Sequence, residues 1–307
     1  MKICIVGGGS AGWMAATTFN NLLNCEKITL IESPTTAKSG VGESTLQQII
    51  EWINLVDIDI EEILRETSGS LKHSIKFTNF LNKNSGSFHY PFGEVPYVDP
   101  QVAWGCISDG IFSHNKYAEY INPVASLAEK GKIDITSKFS LHFDAIKFAN
   151  YLKENHCKEV EHVSADVVNF EESEKGIESL KLDNGLTITA DLFVDCTGFS
   201  SLLLGEYLKE PFISYNNILP NDSAWATQVP YTDIEKELVP YTECTAIENG
   251  WVWNIPLWER IGTGYVYSSK HVSDEDAKQE FIKHLKSKNY DVSGCKFKKI
   301  PMRIGRH

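Results

Sequence analysis

Gly7, Gly9 and Gly12, in the string Gly7-Gly8-Gly9-Ser10-Ala11-Gly12, are spaced to receive an anion. The first permits a tight exit from a strand, the second lets backbone approach a pyrophosphate, and the third allows a helix to pack closely on a sheet. Amide N–H groups at the helix start, from Ser10 and Ala11 onward, would face the anion with help from the helix dipole. Glu32 stands 20 residues past Gly12, where a carboxylate accepts hydrogen bonds from the ribose of an adenine dinucleotide. An acid there, rather than an arginine, disfavours a 2′-phosphate and leaves FAD or NAD.

Holding these residues in place requires a strand, a turn, a helix and a second strand. Ile3-Cys4-Ile5-Val6 reads as a buried strand, Trp13 to Phe19 as an apolar helix, and Ile28-Thr29-Leu30-Ile31 as the second strand, which closes on Glu32. The whole unit takes about 30 residues, as a βαβ crossover does. A glycine turn alone is often only a turn. With both strands, the helix and the acid in place, the stretch is a dinucleotide-binding site.

Composition bounds the rest. A chain of 307 residues that is 42% hydrophobic and 23% charged suits one large domain or two. Its net charge of -12 argues against nucleic acid or an anionic membrane as the main partner. Seven cysteines without a Cys-x-x-Cys pair suggest reduced thiols in a cytoplasmic protein and no metal site. The first apolar run is too short to be a signal peptide or to span a bilayer.

After Glu32, residues 33–45 hold a proline, two glycines and many hydroxyls, the composition of a loop that lets backbone run close to a flat ligand. Glu43-Ser44-Thr45 is expected to start an amphipathic helix carrying Leu46, Ile49, Ile50 and Ile53 on one side. Ser74 to Phe80 alternates as a strand, with Ser74, Lys76 and Thr78 on one face and Ile75 and Phe77 on the other. Pattern alone would make Lys76 a solvent-facing lysine on an edge strand. Residues 97–140 are aromatic-rich and read as a helical, partly buried region. Leu141 to Leu152 begins a helix with Asp144 at its N-terminal end. Val163 to Phe170 reads as a strand, 177–194 as a hairpin around Asp183-Asn184-Gly185, and Ala190 to Asp195 as a buried strand running into a turn at Gly198. On a strand, Trp251, Trp253 and Ile255 would share one face, with Pro256 ending the ladder; a core tryptophan pair is the plain alternative.

Four strings in this order resemble the flavin-dependent tryptophan halogenases: the glycine turn running into Trp13-Met14-Ala15-Ala16, Gly40-Val41-Gly42-Glu43-Ser44-Thr45, the Asp195-Cys196-Thr197-Gly198 region, and Trp251-Val252-Trp253-Asn254-Ile255-Pro256. The resemblance, not the spacing, selects FAD over NAD. It implies an α/β fold with a Rossmann-like FAD-binding domain of the glutathione-reductase type, discontinuous over residues 1–70 and 141–205. A mixed α+β substrate region would take 71–140 and 206–307. Besides the glycine-turn residues and Glu32, the implied cofactor contacts are Lys38, Val41, Gly42, Glu43, Ser44, Thr45, backbone at Val167, Asp195 and Gly198.

The position of Lys76 matches the family's catalytic lysine, between flavin and substrate. A lysine suits that task because its ammonium can hydrogen-bond an oxidant and a desolvated amine can attack one. Phe88-His89-Tyr90-Pro91-Phe92-Gly93 resembles the family's His-Pro-Phe-Gly element in the substrate pocket; Tyr90 stands in the histidine's place and His89 one residue earlier, so either could serve. Phe92 keeps the stacking aromatic, although core packing explains it about as well. Trp251, Trp253, Ile255 and Pro256 would wall the flavin from the organic substrate.

The implied reaction starts with FADH2 from a separate flavin reductase. O2 gives a C4a hydroperoxide, chloride or bromide attacks it, and the hypohalous acid crosses a tunnel to Lys76 and halogenates a small electron-rich aromatic such as tryptophan or another indole. The family continues past the point matching Arg303-Ile304-Gly305-Arg306-His307 into a string that carries its catalytic glutamate and halide-binding backbone, so the chain is expected to be incomplete. No acid in it can be assigned that glutamate's role. A flavin hydroxylase and an inactive FAD-binding fragment are the alternatives, and a homodimer is left open.

Overall fold

In a computed structural model the described residues are 1–36, 40, 43–94, 99–111, 113–174 and 176–307. The chain opens with β1 (Lys2–Val6), α1 (Ser10–Leu22) and β2 (Lys27–Glu32), followed by β3 (Glu43–Ser44), α2 (Gln48–Leu55), α3 (Ile60–Glu66), β4 (Ser70–Lys72), β5 (Ser74–Thr78) and β6 (Ser87–Pro91). Helices α4 (Pro100–Ser108), α5 (Tyr117–Ile121) and α6 (Pro123–Glu129) lead to β7 (Ser140–Phe143), α7 (Ala145–His156), β8 (Glu161–Ser164), β9 (Val167–Ser173), β10 (Gly176–Leu182), β11 (Thr187–Thr189) and β12 (Leu192–Asp195). The remainder comprises β13 (Ile213–Ser214), β14 (Ser223–Val229), α8 (Ile234–Glu237), β15 (Tyr241–Ile247), β16 (Gly250–Pro256), β17 (Ile261–Tyr267), α9 (Asp274–Ser287), β18 (Lys298–Pro301) and β19 (Gly305–Arg306).

β1 is continuously apolar because both faces of its sheet are covered. It lies between β12 and β2 in the parallel order β12-β1-β2-β8. Ile3 and Ile5 turn toward Trp13 of α1 and Phe148 and Leu152 of α7, while Cys4 and Val6 turn toward Leu180, Leu182 and Leu203. The fold is thus α/β with a parallel Rossmann-like sheet. Strands β9, β10 and β11 form the expected hairpin layer, with Gly185 in the turn at φ +86°.

Three local expectations change. Glu43 and Ser44 pair with Phe143 and His142 instead of starting a helix, and the helix begins at Gln48. The Thr45 hydroxyl donates to the Leu141 carbonyl, so the polar run is tied to β7 before the chain can coil. Leu141 to Phe143 is correspondingly strand, and α7 starts only after Asp144, whose Oδ1 accepts from the amides of Ile146 and Lys147. The single strand expected over Val163 to Phe170 is two. The Ala165 amide bonds the Glu32 carbonyl and the Asp166 amide bonds Asp183, which carries the chain from one sheet to the next.

The second large sheet has seven strands in the order β18-β14-β17-β16-β15-β5-β6, with only the β15–β5 pairing parallel. Lys76 is therefore on an internal strand rather than an edge, and β6 is the edge. Lys76 lies level with Glu243 and His89, and Glu243 in turn with Asn254. Phe77 lies level with Cys244 and Phe88, and Cys244 with Trp253. Residues level with each other across a sheet point to the same side, and neighbours along a strand point to opposite sides. Lys76 and His89 thus project from one face, Phe77, Trp251, Trp253 and Ile255 from the other.

Asp144 also joins the two layers: its Oδ2 accepts from Arg260 Nη2 at 2.5 Å. Asp144→Ala removes a helix cap and leaves a mostly buried guanidinium unpaired. The expected loss is about 2–4 kcal/mol, read as a lower urea midpoint; an unchanged midpoint would contradict this role.

Candidate active site

The glycine turn has the shape its sequence asks for. Gly7 has φ +116°, and a Cβ there would lie 2.3 Å from the Cys196 carbonyl. A Cβ on Gly12 would lie 1.8 Å from the Gly7 carbonyl, so α1 reaches the turn only because that side chain is missing. At Gly9 a Cβ meets no atom within 4 Å, which leaves this backbone open to an approaching group. Gly9 caps α1 without a side-chain hydrogen bond, and the first turn carries no acid. An uncapped helix start with an open glycine suits a pyrophosphate, and the residues fit a dinucleotide.

Glu32 ends β2 and accepts from His162 Nε2 of β8 at 2.8 Å, a partner with no signal in the sequence. Asp195 uses both carboxylate oxygens locally: Oδ1 takes the Thr197 amide and hydroxyl, Oδ2 the amides of Leu203 and Leu204. It thereby fixes the turn that contains Gly198 at φ +64°. Val167 opens β9, and its carbonyl accepts from the Tyr207 hydroxyl at 3.5 Å. Ser10 donates to the Ala145 carbonyl and Glu43 accepts from the Ala145 amide, so the start of α7 is held by the turn and by the end of the loop after Glu32. Lys38, Val41 and Gly42 lie outside the described residues.

Ser44 begins a buried chain of hydrogen bonds whose direction can be worked out. The Ser70 hydroxyl donates to the Pro256 carbonyl at 2.6 Å, so its oxygen accepts from His142 Nδ1 at 3.1 Å. Burial, then the charge of Lys72, hold His142 well below its usual pKa, so it is neutral and Nε2 accepts from the Thr242 hydroxyl at 2.9 Å. Thr242 then accepts from Ser44 at 2.6 Å. Thr242 shares its sheet face with Cys244 and hence with Trp253. The end of the loop after Glu32 therefore sits on the tryptophan face of the sheet. Lys72, fully buried, donates to the Thr45 carbonyl at 2.8 Å and lies 5.0 Å from the centre of the Phe92 ring.

On the opposite face, Lys76 Nζ is 2.7 Å from Glu129 Oε2, and its side chain is only 15% exposed. The same oxygen is 2.8 Å from His89 Nε2, and the Tyr241 ring centre lies 5.3 Å from Nζ. Burial pushes the Glu129 carboxyl up, but hydrogen bonds from His89 and Lys76 and the charge of Lys76 outweigh it and bring it to about 2. Of the two pocket candidates it is His89, not Tyr90, that stands beside Lys76. Tyr90 is exposed and projects from the other face, and Phe92 is buried under Lys72. Glu129, Tyr241 and His142 escaped the sequence reading because nothing local marks them; Glu129 lies 53 residues from its lysine.

The tryptophan strand forms as its alternation requires. Trp251 and Trp253 have ring centres 6.2 Å apart, and Phe80 approaches Trp251 at 6.5 Å. The Trp253 ring lies over Gly264, where a Cβ would come within 2.1 Å of it. Ile255 and Pro256 are buried where β16 ends.

The tryptophan halogenase family model matches residues 2–307. The chain belongs to the tryptophan halogenase family. It is 34% identical to the tryptophan 7-halogenase RebH of Lentzea aerocolonigenes and 33% identical to the tryptophan 6-halogenase ThaL of Streptomyces albogriseolus. These alignments cover 100% and 99% of the chain but 62% of each relative, so the chain spans about three fifths of their length. Among solved structures, VirX1 in its apo form superposes with a TM-score of 0.90 at 37% identity, covering 99% of this chain and 62% of that one. The tryptophan 6-halogenase SttH of Streptomyces toxytricini gives a TM-score of 0.90 at 33% identity, over 99% of this chain and 63% of its own.

Lys72 yields a pH test of this part of the family fold. Burial lowers its pKa from 10.5 to about 8. A group that binds its proton less tightly when folded costs stability below its folded pKa, and the cost is relieved as pH rises toward the unfolded value. The stability difference between wild type and Lys72→Met should move in favour of wild type from about pH 8 to about 10.5. Denaturation curves across that range check it, and a flat difference would contradict it.

Proposed function

We propose that this protein is an FADH2-dependent halogenase of electron-rich aromatics, tryptophan or another indole, and that Lys76 handles the oxidant. The observation that carries this reading is Lys76 itself: a shielded ammonium on one face of a sheet whose other face bears Trp251 and Trp253 and meets the loop end at Ser44.

The bound flavin would supply the oxidation of chloride or bromide by O2 to hypohalous acid, with FADH2 delivered by a separate flavin reductase. The protein does the holding. Gly7, Gly9, Ser10, Ala11 and Gly12 would take the pyrophosphate and Glu32 the ribose, while Glu43, Ser44, Thr45, Val167, Asp195 and Gly198 shape the rest of the cofactor cleft. Trp251, Trp253, Ile255 and Pro256 keep the aromatic substrate from direct contact with the flavin. On the far face Lys76 hydrogen-bonds the oxidant and His89 borders the substrate, whereas Phe92 packs under Lys72 away from that face. Confining a reactive oxidant in this way suppresses its loss to water. On this reading residues 1–70 and 141–205 make the cofactor unit, 71–140 and 206–307 belong to the substrate region, and the protein works in the cytoplasm.

The test is incubation with FAD, NADH, a flavin reductase, bromide and a panel of tryptophan and other indoles, followed by product mass. A gain of bromine in place of hydrogen is the expected result. A gain of oxygen alone would make the protein a hydroxylase, and no product from any member would overturn the assignment. Lys76→Ala should abolish bromination while FAD affinity stays the same; bromination by that variant would remove Lys76 from its role.

A further inference from the structure

We propose that His162 is the positioning residue for Glu32: its ring N–H fixes the carboxylate against the glycine turn, so that the carboxylate selects the 2′-hydroxyl of an adenosine ribose. This rests on the dinucleotide reading of the glycine turn and Glu32 given above.

A glutamate side chain is flexible, and it grips a ribose well only if the cost of fixing its rotamers has been met before the ligand arrives. Here the side chain is clasped from two directions. On one side stands Gly8, to which the spacing of the turn gives no task. A Cβ there would lie 2.3 Å from Glu32 Cδ, 2.4 Å from Cγ and 2.7 Å from Cβ. Glu32 therefore lies against the turn only because residue 8 has no side chain. On the other side His162 Nε2 is 2.8 Å from Glu32 Oε2. An ionised carboxylate only accepts, so Nε2 carries the hydrogen. The Glu32 side chain is 12% exposed and that of His162 26%, so the contact is largely shielded from water.

The imidazole is itself held. In the parallel β2–β8 pairing His162 is level with Leu30, and Ser164 with Glu32. Leu30, Glu32 and His162 thus emerge on one face of the sheet, the face on which Leu30 packs with Trp13 of α1. The buried Trp13 ring backs the histidine, with ring centres 5.6 Å apart. The backbone on either side is tied as well: the Ala165 amide donates to the Glu32 carbonyl and the Gly7 amide to the Ile31 carbonyl. Turn, helix and edge strand therefore converge on one carboxylate. A carboxylate offers about four lone-pair sites, so it accepts from His162 and from a ribose hydroxyl together. In ADP the ribose adjoins the diphosphate, and here Glu32 adjoins Gly8, the residue before the open backbone of Gly9.

Calorimetric titration of the purified protein with ADP and with 2′-deoxy-ADP tests this without turnover. Wild type should bind ADP about tenfold more tightly, the worth of one hydrogen bond to a charged group. In His162→Ala that preference should fall to about twofold or less. His162→Gln, whose amide can donate from nearly the same place, should recover part of it. Gly8→Ala displaces Glu32 from the other side and should also lose the preference, which decides the matter if His162→Ala does not fold. A preference kept in these variants, with both nucleotides weakened alike or neither weakened, overturns the proposal and leaves the dinucleotide site standing. So does a wild type that binds the two nucleotides equally. A wild type that binds neither ADP nor FAD overturns the dinucleotide reading, and the proposal with it.

Discussion

Strand alternation is the constraint on which the rest of this structure depends. Across β5, β15 and β16 the pairing is continuous, so Lys76, Glu243 and Asn254 emerge on one side and Phe77, Cys244 and Trp253 on the other. A one-residue slip in either pairing would put the lysine and the tryptophans on a common face. The sheet therefore serves as the partition, and its hydrogen bonds keep an amine and an aromatic wall back to back.

That partition would be idle unless the dinucleotide layer sat on a defined side of it. The chain of hydrogen bonds from Ser44 through Thr242, His142 and Ser70 to the Pro256 carbonyl ties the segment at Ser44 to the tryptophan side. Every donor in it points the same way, and each buried polar atom along it is satisfied. The salt bridge from Arg260 to Asp144 locks the start of α7 onto the turn before β17. Together these place the glycine turn, the loop end and the sheet in one register. A buried lysine, Lys72, is tolerated at the junction because a carbonyl and an aromatic face receive its charge.

Much of this was legible in the chain because it is local. The glycine turn, the apolar runs of β1 and β2, the Asp144 cap and the Asn-Gly hairpin each follow from neighbours within a few residues. The alternation in Ser74 to Thr78 separated the Lys76 side from the Phe77 side, and that in Trp251 to Ile255 put both tryptophans on one side. What could not be read was long-range pairing. Glu43 and Ser44 resemble a helix start until β7 is available to pair with them, and Lys76 resembles an edge-strand lysine until β15 and β6 flank its strand. The contact partners of two candidate residues, Glu129 for Lys76 and His162 for Glu32, come from distant segments that carry no motif.

The central claim is that the flavin lies on the tryptophan side of the sheet and the Lys76 amine on the other. A crystal structure of the protein soaked with FAD tests it most directly. The account predicts the isoalloxazine beside the Ser44–Thr242 contact, with Trp251 and Trp253 on its side of the sheet and the Lys76–Glu129 pair across it. An isoalloxazine found on the same face as Lys76 and His89 would contradict it.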